Sequence, residues 1–178
     1  MIIPGLGNSG PEHWQSIWAS RLPRCVRVVQ RDWDRPDREL WLQGLRQAIE
    51  AAGGPVILVA HSLGCALVAH AAPRFPALIA RAVRGALLVA PADVDSAAHT
   101  PPETRGFAPM PRARLPYPAT VIASNDDPYV TLSRARGFAA AWGAAFVAAG
   151  ALGHLNAASN LGDWSAGRRA LQTLVDRS

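Results

Sequence analysis

Residues 55–72, PVILVAHSLGCALVAHAA, place an apolar run directly before Ser62 and a run of small and apolar residues directly after it. This pattern is typical of a buried strand that passes through one tight turn into a helix. It matches the G-x-S-x-G nucleophile elbow, with Ala60 in place of the first glycine. Small residues are required at these two positions because larger side chains would collide with the backbone of the tight turn. Ser62 is therefore a candidate nucleophile. The alternative is that it only caps the helix.

Short β-branched runs alternate with helix-length amphipathic segments, which favours an α/β fold with a parallel sheet. Six strands are expected, over residues 1–3, 26–30, 55–60, 85–89, 120–123 and 145–148. Helices are expected around residues 14–18, 40–49, 67–71, 131–142 and from 163 or 165 to 175. We expect one domain, residues 1–178, with strand order 2-1-3-4-5-6 and helices on both faces of the sheet.

Residues 90–119 interrupt this alternation. They hold seven of the 15 prolines and show no apolar periodicity. Loops of this length in a compact domain are usually lids or binding loops, or are disordered. We expect a lid-like, proline-rich insertion that folds over a crevice and sets the size of the acyl group.

Two further polar turns follow later strands: SNDDPYV at residues 124–130 and GALGHLN at residues 150–156. The order serine, aspartate, histidine, each just past a strand, is that of an α/β-hydrolase triad. The histidine is His154. Of the two adjacent aspartates we favour Asp127 over Asp126, because a residue before proline is extended, which turns its side chain away from the following helix.

The requirements of acyl transfer assign a role to each candidate. Ser62 would attack a carbonyl, His154 would move the proton, and the aspartate would hold the imidazole in one tautomer. The tetrahedral oxyanion needs preorganised donors, for which we expect the N–H groups of Leu6 and Leu63. Leu6 follows the first strand and Ser62 follows the third. These two strands flank the point where the strand order reverses, so we expect their loops to face each other.

The loop that contains Leu6 also carries a competing pattern. GLGNSG, residues 5–10, satisfies G-x-G-x-x-G, and Asp32 follows Gly10 by 22 residues, as in a dinucleotide site. Pro4 and Pro11 oppose this interpretation, because Pro11 makes the helix begin after the third glycine instead of around it. A dinucleotide site also leaves the serine, aspartate and histidine unexplained. We expect no cofactor and no metal.

The composition is that of a globular protein, with 49% apolar and 17% charged residues in 178. No uncharged apolar stretch reaches the roughly 18 residues that span a bilayer, and no leader pattern opens the chain. We therefore expect a cytoplasmic protein. Its formal charge of +5 comes from 18 arginines without lysine, which suggests a GC-rich bacterial genome. We expect a small-molecule acyl substrate, with neither nucleic acid nor a membrane as partner.

Six of the arginines lie in residues 21–38. The simplest interpretation is a solvated surface. The alternative function that follows from them is a non-catalytic binding module, which docks a protein partner through this segment on a hydrolase scaffold.

Taken together, the motifs resemble the small serine α/β-hydrolases related to retinoblastoma-binding protein nine, the YdeN-like family. The resemblance covers essentially the whole chain and rests on PGLGNSGPEHWQ, RDWDRPDRELW, VAHSLGC, ASNDDPYV and GHLNAASNLGDW. It implies a compact six-stranded fold, no cofactor, and the triad Ser62, Asp127 and His154. Asn160 departs from the pattern, since a glycine is expected there. The resulting prediction is hydrolysis of a small carboxylic ester, thioester or activated amide through an acyl-enzyme.

Side chains beside these loops are candidates for the substrate pocket: Gly5, Trp14, Tyr129 and Asn156, with Trp33 and Trp164. The other interpretation of the aromatic residues is core packing. It is at least as well founded for Trp14, because the same helix carries Ile17 and Trp18. His13 is a candidate for supporting the site.

Overall fold

The computed structural model describes residues 1–177 and has at its centre a parallel sheet of five strands in the order β1-β2-β3-β4-β5. The strands are β1 (Ile2–Ile3), β2 (Val56–His61), β3 (Val83–Val89), β4 (Ala119–Ala123) and β5 (Ala145–Ala148). The helices in this range are α1 (Trp14–Arg21), α2 (Arg38–Ala51), α3 (Leu63–Arg74), α4 (Pro76–Ala82), α5 (Leu132–Trp142) and α6 (Ser165–Val175). The α/β-hydrolase prediction is confirmed.

Alternate residues of the central strands enter two separate cores. Leu58 and Leu88 pack with α2, α3 and α5 on one face of the sheet. Val59 and Leu87 pack with α1 and α6 on the other face. Because successive side chains of a strand point to opposite faces, β2 and β3 are buried on both sides, as parallel strands usually are.

The strand expected over residues 26–30 is wrong as a regular strand, because only one bridge forms there. Ile2 N–H donates to Val26 O at 2.7 Å and Val28 N–H donates to Ile2 O at 2.9 Å, which pairs Ile2 with Arg27 in parallel. The next bond of the ladder would need an N–H on Pro4, and proline has none. The sheet therefore has five regular strands. The bridged segment still lies beside β1, where the order 2-1-3-4-5-6 places it.

Residues 90–119 fold onto the body of the domain and contain a 3₁₀ helix, Pro102–Phe107. The Asp93 carboxylate accepts two hydrogen bonds from the Arg134 guanidinium, at 2.7 and 2.8 Å. Trp142 Nε1 donates to Pro111 O at 2.7 Å. Asp93 is 2% exposed, so this ion pair attaches the insertion firmly to α5.

Among residues 1–177 no single helix is long and apolar enough to cross a membrane. Only α3 and α4 taken together pass that test of length and composition, and their axes are bent by 109°.

Candidate active site

Ser62 occupies the turn between β2 and α3 with φ 54° and ψ −123°, a conformation that L-residues rarely adopt. Strain of this kind costs of order 1–3 kcal/mol and persists where the surrounding structure enforces it. The Ser62 amide donates to Val89 O at 3.0 Å, which ties the turn to β3. The side chain makes no capping hydrogen bond to α3, so the helix-cap interpretation of Ser62 is wrong.

The Ser62 hydroxyl is the first member of a row of hydrogen bonds. His154 Nε2 lies 2.9 Å from Ser62 Oγ, and His154 Nδ1 lies 2.9 Å from each carboxylate oxygen of Asp127. A carboxylate only accepts, so Nδ1 carries the proton and Nε2 is the acceptor for the serine hydroxyl. The Asp127 side chain is fully buried, and its Oδ1 also accepts the Tyr129 N–H at 2.9 Å. The structure thus brings Ser62, His154 and Asp127 together.

Asp126 points away from the imidazole and supports the loop that carries it. Its Oδ1 accepts hydrogen bonds from Ser124 Oγ at 2.6 Å and from the Gly153 N–H at 2.8 Å. These two bonds hold the pKa of Asp126 below its ordinary value. Ser124 Oγ in turn accepts the Leu152 N–H at 2.8 Å.

Two buried side chains hold the same loop from the opposite side. His61 Nε2 donates to His154 O at 2.9 Å, and Trp14 Nε1 donates to Leu155 O at 2.8 Å. Trp14 is 1% exposed, with its ring against Trp18 and Trp164 in the core between α1 and α6. The expectation that Trp14 walls the pocket is therefore corrected. Its indole is committed to the core and supports the histidine loop.

A cavity of about 200 Å³ opens above Ser62. Beside Ser62, His61 and His154, it is lined by Leu6, Asn8 and His13 from the β1–α1 loop, by Leu63, by Ala92, Thr100, Pro101 and Thr104 from the insertion, and by Tyr129 and Asn156. Tyr129 and Asn156 thus lie where the sequence predicts them. Gly5, Trp33 and Trp164 are not among the lining residues, and Trp33 instead packs against Trp41. Six lining residues were not predicted as site residues: Asn8, His61, Ala92, Thr100, Pro101 and Thr104.

The N–H groups of Leu6 and Leu63 are the expected oxyanion donors, and both residues line the cavity. Within residues 1–177 neither N–H has a hydrogen-bond partner. A Cβ built on Gly5 would lie 3.1 Å from Leu63 N, which shows how closely the glycine loop approaches the elbow. α1 begins only at Trp14, so the G-x-G-x-x-G loop does not open a helix as a dinucleotide site requires.

Two further imidazoles adjoin His154. Ring centroids are 4.8 Å apart between His61 and His154, and 4.7 Å apart between His13 and His61. Burial, with Arg27 and His154 nearby, lowers the pKa of His13 to about 4. Burial and the two neighbouring imidazoles lower the pKa of His61 well below its ordinary value. Both side chains are neutral at neutral pH and place no positive charge beside His154.

Most of the arginines in residues 21–38 form ion pairs or hydrogen bonds with other residues of the protein. Arg21 pairs with Asp163 at 3.4 Å, and Arg35 pairs with Asp32 at 3.2 Å. Arg27 donates to Asn8, Ser9 and Ser16. Within the described part of the chain, no group of three or more His, Cys, Asp or Glu residues is arranged to hold a metal ion.

A family model described as serine hydrolase matches residues 1–173. A YdeN-like hydrolase from Pectobacterium atrosepticum is 31% identical, with a TM-score of 0.85 over 98% of this chain and 89% of that one. The ydeN gene product of B. subtilis is 21% identical, with a TM-score of 0.76 over 98% and 97%. The type II thioesterase BorB, from the borrelidin biosynthetic cluster, is 19% identical, with a TM-score of 0.64 over 97% and 91%, and like the B. subtilis protein it shows the fold alone. No curated protein sequence matches the chain.

Proposed function

The chain belongs to the serine hydrolase family, and from this premise we propose that it hydrolyses a small carboxylic ester, thioester or activated amide through an acyl-enzyme on Ser62. The observation that carries the proposal is the row from Ser62 through His154 to Asp127, with 2.9 Å between successive groups. Within the family we place the chain in the YdeN-like group, on the 31% identity over 98% of its length. A kinship to retinoblastoma-binding protein nine remains a prediction.

In the acylation half-reaction, Ser62 Oγ attacks the substrate carbonyl while its proton passes to His154 Nε2. The buried Asp127 carboxylate stabilises the imidazolium that forms and keeps the ring oriented. The carbonyl oxygen, now negatively charged, accepts hydrogen bonds from the N–H groups of Leu6 and Leu63. Such donors contribute about 3–4 kcal/mol each to the transition state, because they are in place before the charge develops.

His154 then returns its proton to the leaving alcohol, thiol or amine, and the acyl group stays on Ser62. Water enters, gives a proton to His154 and attacks the acyl carbon, and the acid leaves with Ser62 protonated again. Both half-reactions use the same donors and the same base. His13 and His61 are neutral and therefore do not compete with His154 for the proton.

The size of the cavity favours a substrate with a small acyl group. Its volume of about 200 Å³ is below the ~300–1,000 Å³ of typical ligand pockets. Thr100, Pro101 and Thr104 of the proline-rich insertion form one wall, so we assign that segment the role of a lid.

A fluorophosphonate probe followed by intact mass spectrometry tests the proposal. We expect one adduct per chain, on Ser62, and none on Ser62→Ala or on heat-unfolded protein. If folded protein stays unlabelled and hydrolyses neither p-nitrophenyl acetate nor the matching thioester, the proposal fails and the binding-module alternative takes its place.

A further inference from the structure

Two asparagine side chains that line the cavity have their oxygen atoms occupied and their amino groups unpaired. Asn8 Oδ1 accepts from Arg27 Nη2 at 2.6 Å, and Asn156 Oδ1 accepts from the Ala158 N–H at 3.0 Å. Guanidinium and backbone N–H groups only donate, so these contacts determine which amide atom is the oxygen. Each Nδ2 group has no hydrogen-bond partner among residues 1–177. Both side chains therefore offer donors to the cavity.

The Asn8 donor is strengthened by the charge behind it. Arg27 also donates to Ser9 O at 2.7 Å and to Ser16 Oγ at 3.0 Å, and no carboxylate of the described residues forms an ion pair with it. A cation on the oxygen of an amide polarises the group and makes its N–H bonds better donors. This wall of the cavity is therefore electropositive.

His13 also lines the cavity, and its hydrogen bonding fixes which ring nitrogen carries the proton. Its Nδ1 accepts the Gln15 N–H at 3.1 Å, which places the proton of the neutral ring on Nε2. His13 is 4% exposed, and Nε2 has no partner in the described part of the chain. Nε2 itself is buried, so its N–H is not open to the cavity and does not count among the donors that a substrate can reach.

The cavity offers little to a substrate that donates. None of its lining residues, all of them within the described range, is acidic. The Thr100 hydroxyl is committed to Asp93 O at 3.0 Å and receives Arg105 Nη1 at 2.8 Å. The described lining thus has no carboxylate to receive a donating substrate, whereas the amides of Asn8 and Asn156 offer N–H groups.

We propose that the acyl group of the substrate carries a second carbonyl-type oxygen, received by the side-chain N–H groups of Asn8 and Asn156. The inference rests on the proposed function and specifies its substrate class. Leu6 and Asn8 belong to one loop two residues apart, so an oxygen bound by Asn8 lies a few bonds along the acyl chain from the scissile carbonyl that Leu6 binds. A purely hydrocarbon acyl chain would displace water from these two N–H groups without replacing its hydrogen bonds, which costs binding energy.

Two p-nitrophenyl esters of nearly equal shape test this inference: the levulinate, with a ketone in its acyl chain, and the isocaproate, with a methyl-bearing carbon in the same place. Each kcat/KM is divided by the rate constant of alkaline hydrolysis, which removes the difference in intrinsic reactivity. We expect the wild-type protein to prefer the levulinate by about tenfold or more.

Asn8→Asp and Asn156→Asp are the informative variants. Each keeps the oxygen that Arg27 or the Ala158 N–H requires and replaces the donor with an acceptor, so the levulinate preference should fall at least about tenfold. Asn160→Asp is the matched control: it makes the same change near Asn156 at a residue that does not line the cavity, and should keep the preference. A normalised ratio near one in wild type, unaltered by either variant, overturns the inference and leaves the hydrolase proposal intact. If Ser62 is unlabelled and neither ester is cleaved, the hydrolase proposal itself fails.

Discussion

A methyl group built on Gly5 would lie 2.9 Å from the Cβ of Ser62, closer than such carbons approach in proteins. It would also lie 3.0 Å from His61 O. The β1–α1 loop is thus pressed against the backbone of the elbow, next to the residues whose N–H groups are the proposed oxyanion donors, Leu6 and Leu63. The first glycine of the G-x-G-x-x-G pattern is needed for its lack of a side chain.

Gly5→Ala should therefore lower kcat by about 10²–10³, the loss expected when one oxyanion donor is displaced. The neighbouring atoms are backbone and the Ser62 side chain, so the loop has to move. Gly10→Ala is the control, because a Cβ there meets nothing within 4 Å. Steady-state kinetics of both variants, with circular dichroism to confirm folding, check the prediction. Equal activity in the two would contradict it.

Substitutions of Ser62 should abolish activity while the protein stays folded. Ser62→Ala should lose about 10⁵-fold or more in turnover. Ser62→Gly should be equally inactive, yet at least as stable as Ser62→Ala despite the greater chain entropy of glycine, because glycine relieves the strain at φ 54°. Urea denaturation of the two variants measures the difference. A clearly less stable Ser62→Gly would show that the turn is unstrained.

Substitutions of the two adjacent aspartates should have very different effects on kcat. Asp127→Asn removes the charge that orients His154 and should lower kcat by about 10³–10⁴, whereas Asp126→Asn should cost less than about tenfold. Asp126→Asn should act through the histidine loop, because Gly153 N–H and Ser124 lose a charged acceptor. The larger loss at Asp126 would refute the assignment of the acid while leaving the serine chemistry in place.

His13 should make stability depend on pH. Its pKa falls from 6.5 to about 4 on folding, so the unfolded chain binds the proton more tightly. The resulting stability is fully present above pH 6.5 and is lost as the pH falls toward 4, by about 3 kcal/mol in total, and His61 adds to it in the same direction.

His13→Asn keeps an acceptor for the Gln15 N–H at the start of α1 and removes the titrating ring. Urea denaturation at neutral pH and at about pH 4.5 should show a smaller loss of stability in the variant than in wild type. Identical losses in the two proteins would mean that His13 is not the group responsible.

Arg134 should hold the insertion in place. Arg134→Met leaves the buried Asp93 carboxylate without its partner, which should destabilise the fold by about 2 kcal/mol, a figure reduced because the arginine is about a third exposed. Limited proteolysis should then cut within residues 90–119. Adding Asp93→Asn to this variant should recover part of the lost stability, because the buried side chain at position 93 then carries no unpaired charge. Arg136→Met, which removes a contact with the Phe146 ring and no ion pair of the described residues, is the control.

Local patterns were sufficient to predict the parallel sheet, the elbow and the order of serine, aspartate and histidine. Each depends on residues close together in the chain: an apolar run, a tight turn with small neighbours, and a polar turn after a strand. The prediction failed where a partner segment limits the pairing, as in residues 26–30, whose bridge to β1 cannot extend past Pro4. The sequence patterns also did not predict α4, whose seven residues are too few to show a clear periodicity.

Contacts between distant parts of the chain decided the rest. Pro128 favours Asp127 over Asp126 as the acid, but only the folded chain brings Asp127 to His154, which is 27 residues away, while Asp126 bonds Ser124 and the Gly153 N–H. Trp14 turns into the core because Trp18 and Trp164 surround it and Leu155 O accepts its N–H, 141 residues away. The hydrogen bond from Arg27 to Asn8 likewise joins residues that are 19 positions apart. Pairs of this kind stabilise the fold but leave no periodic pattern in the sequence, so they cannot be predicted from it.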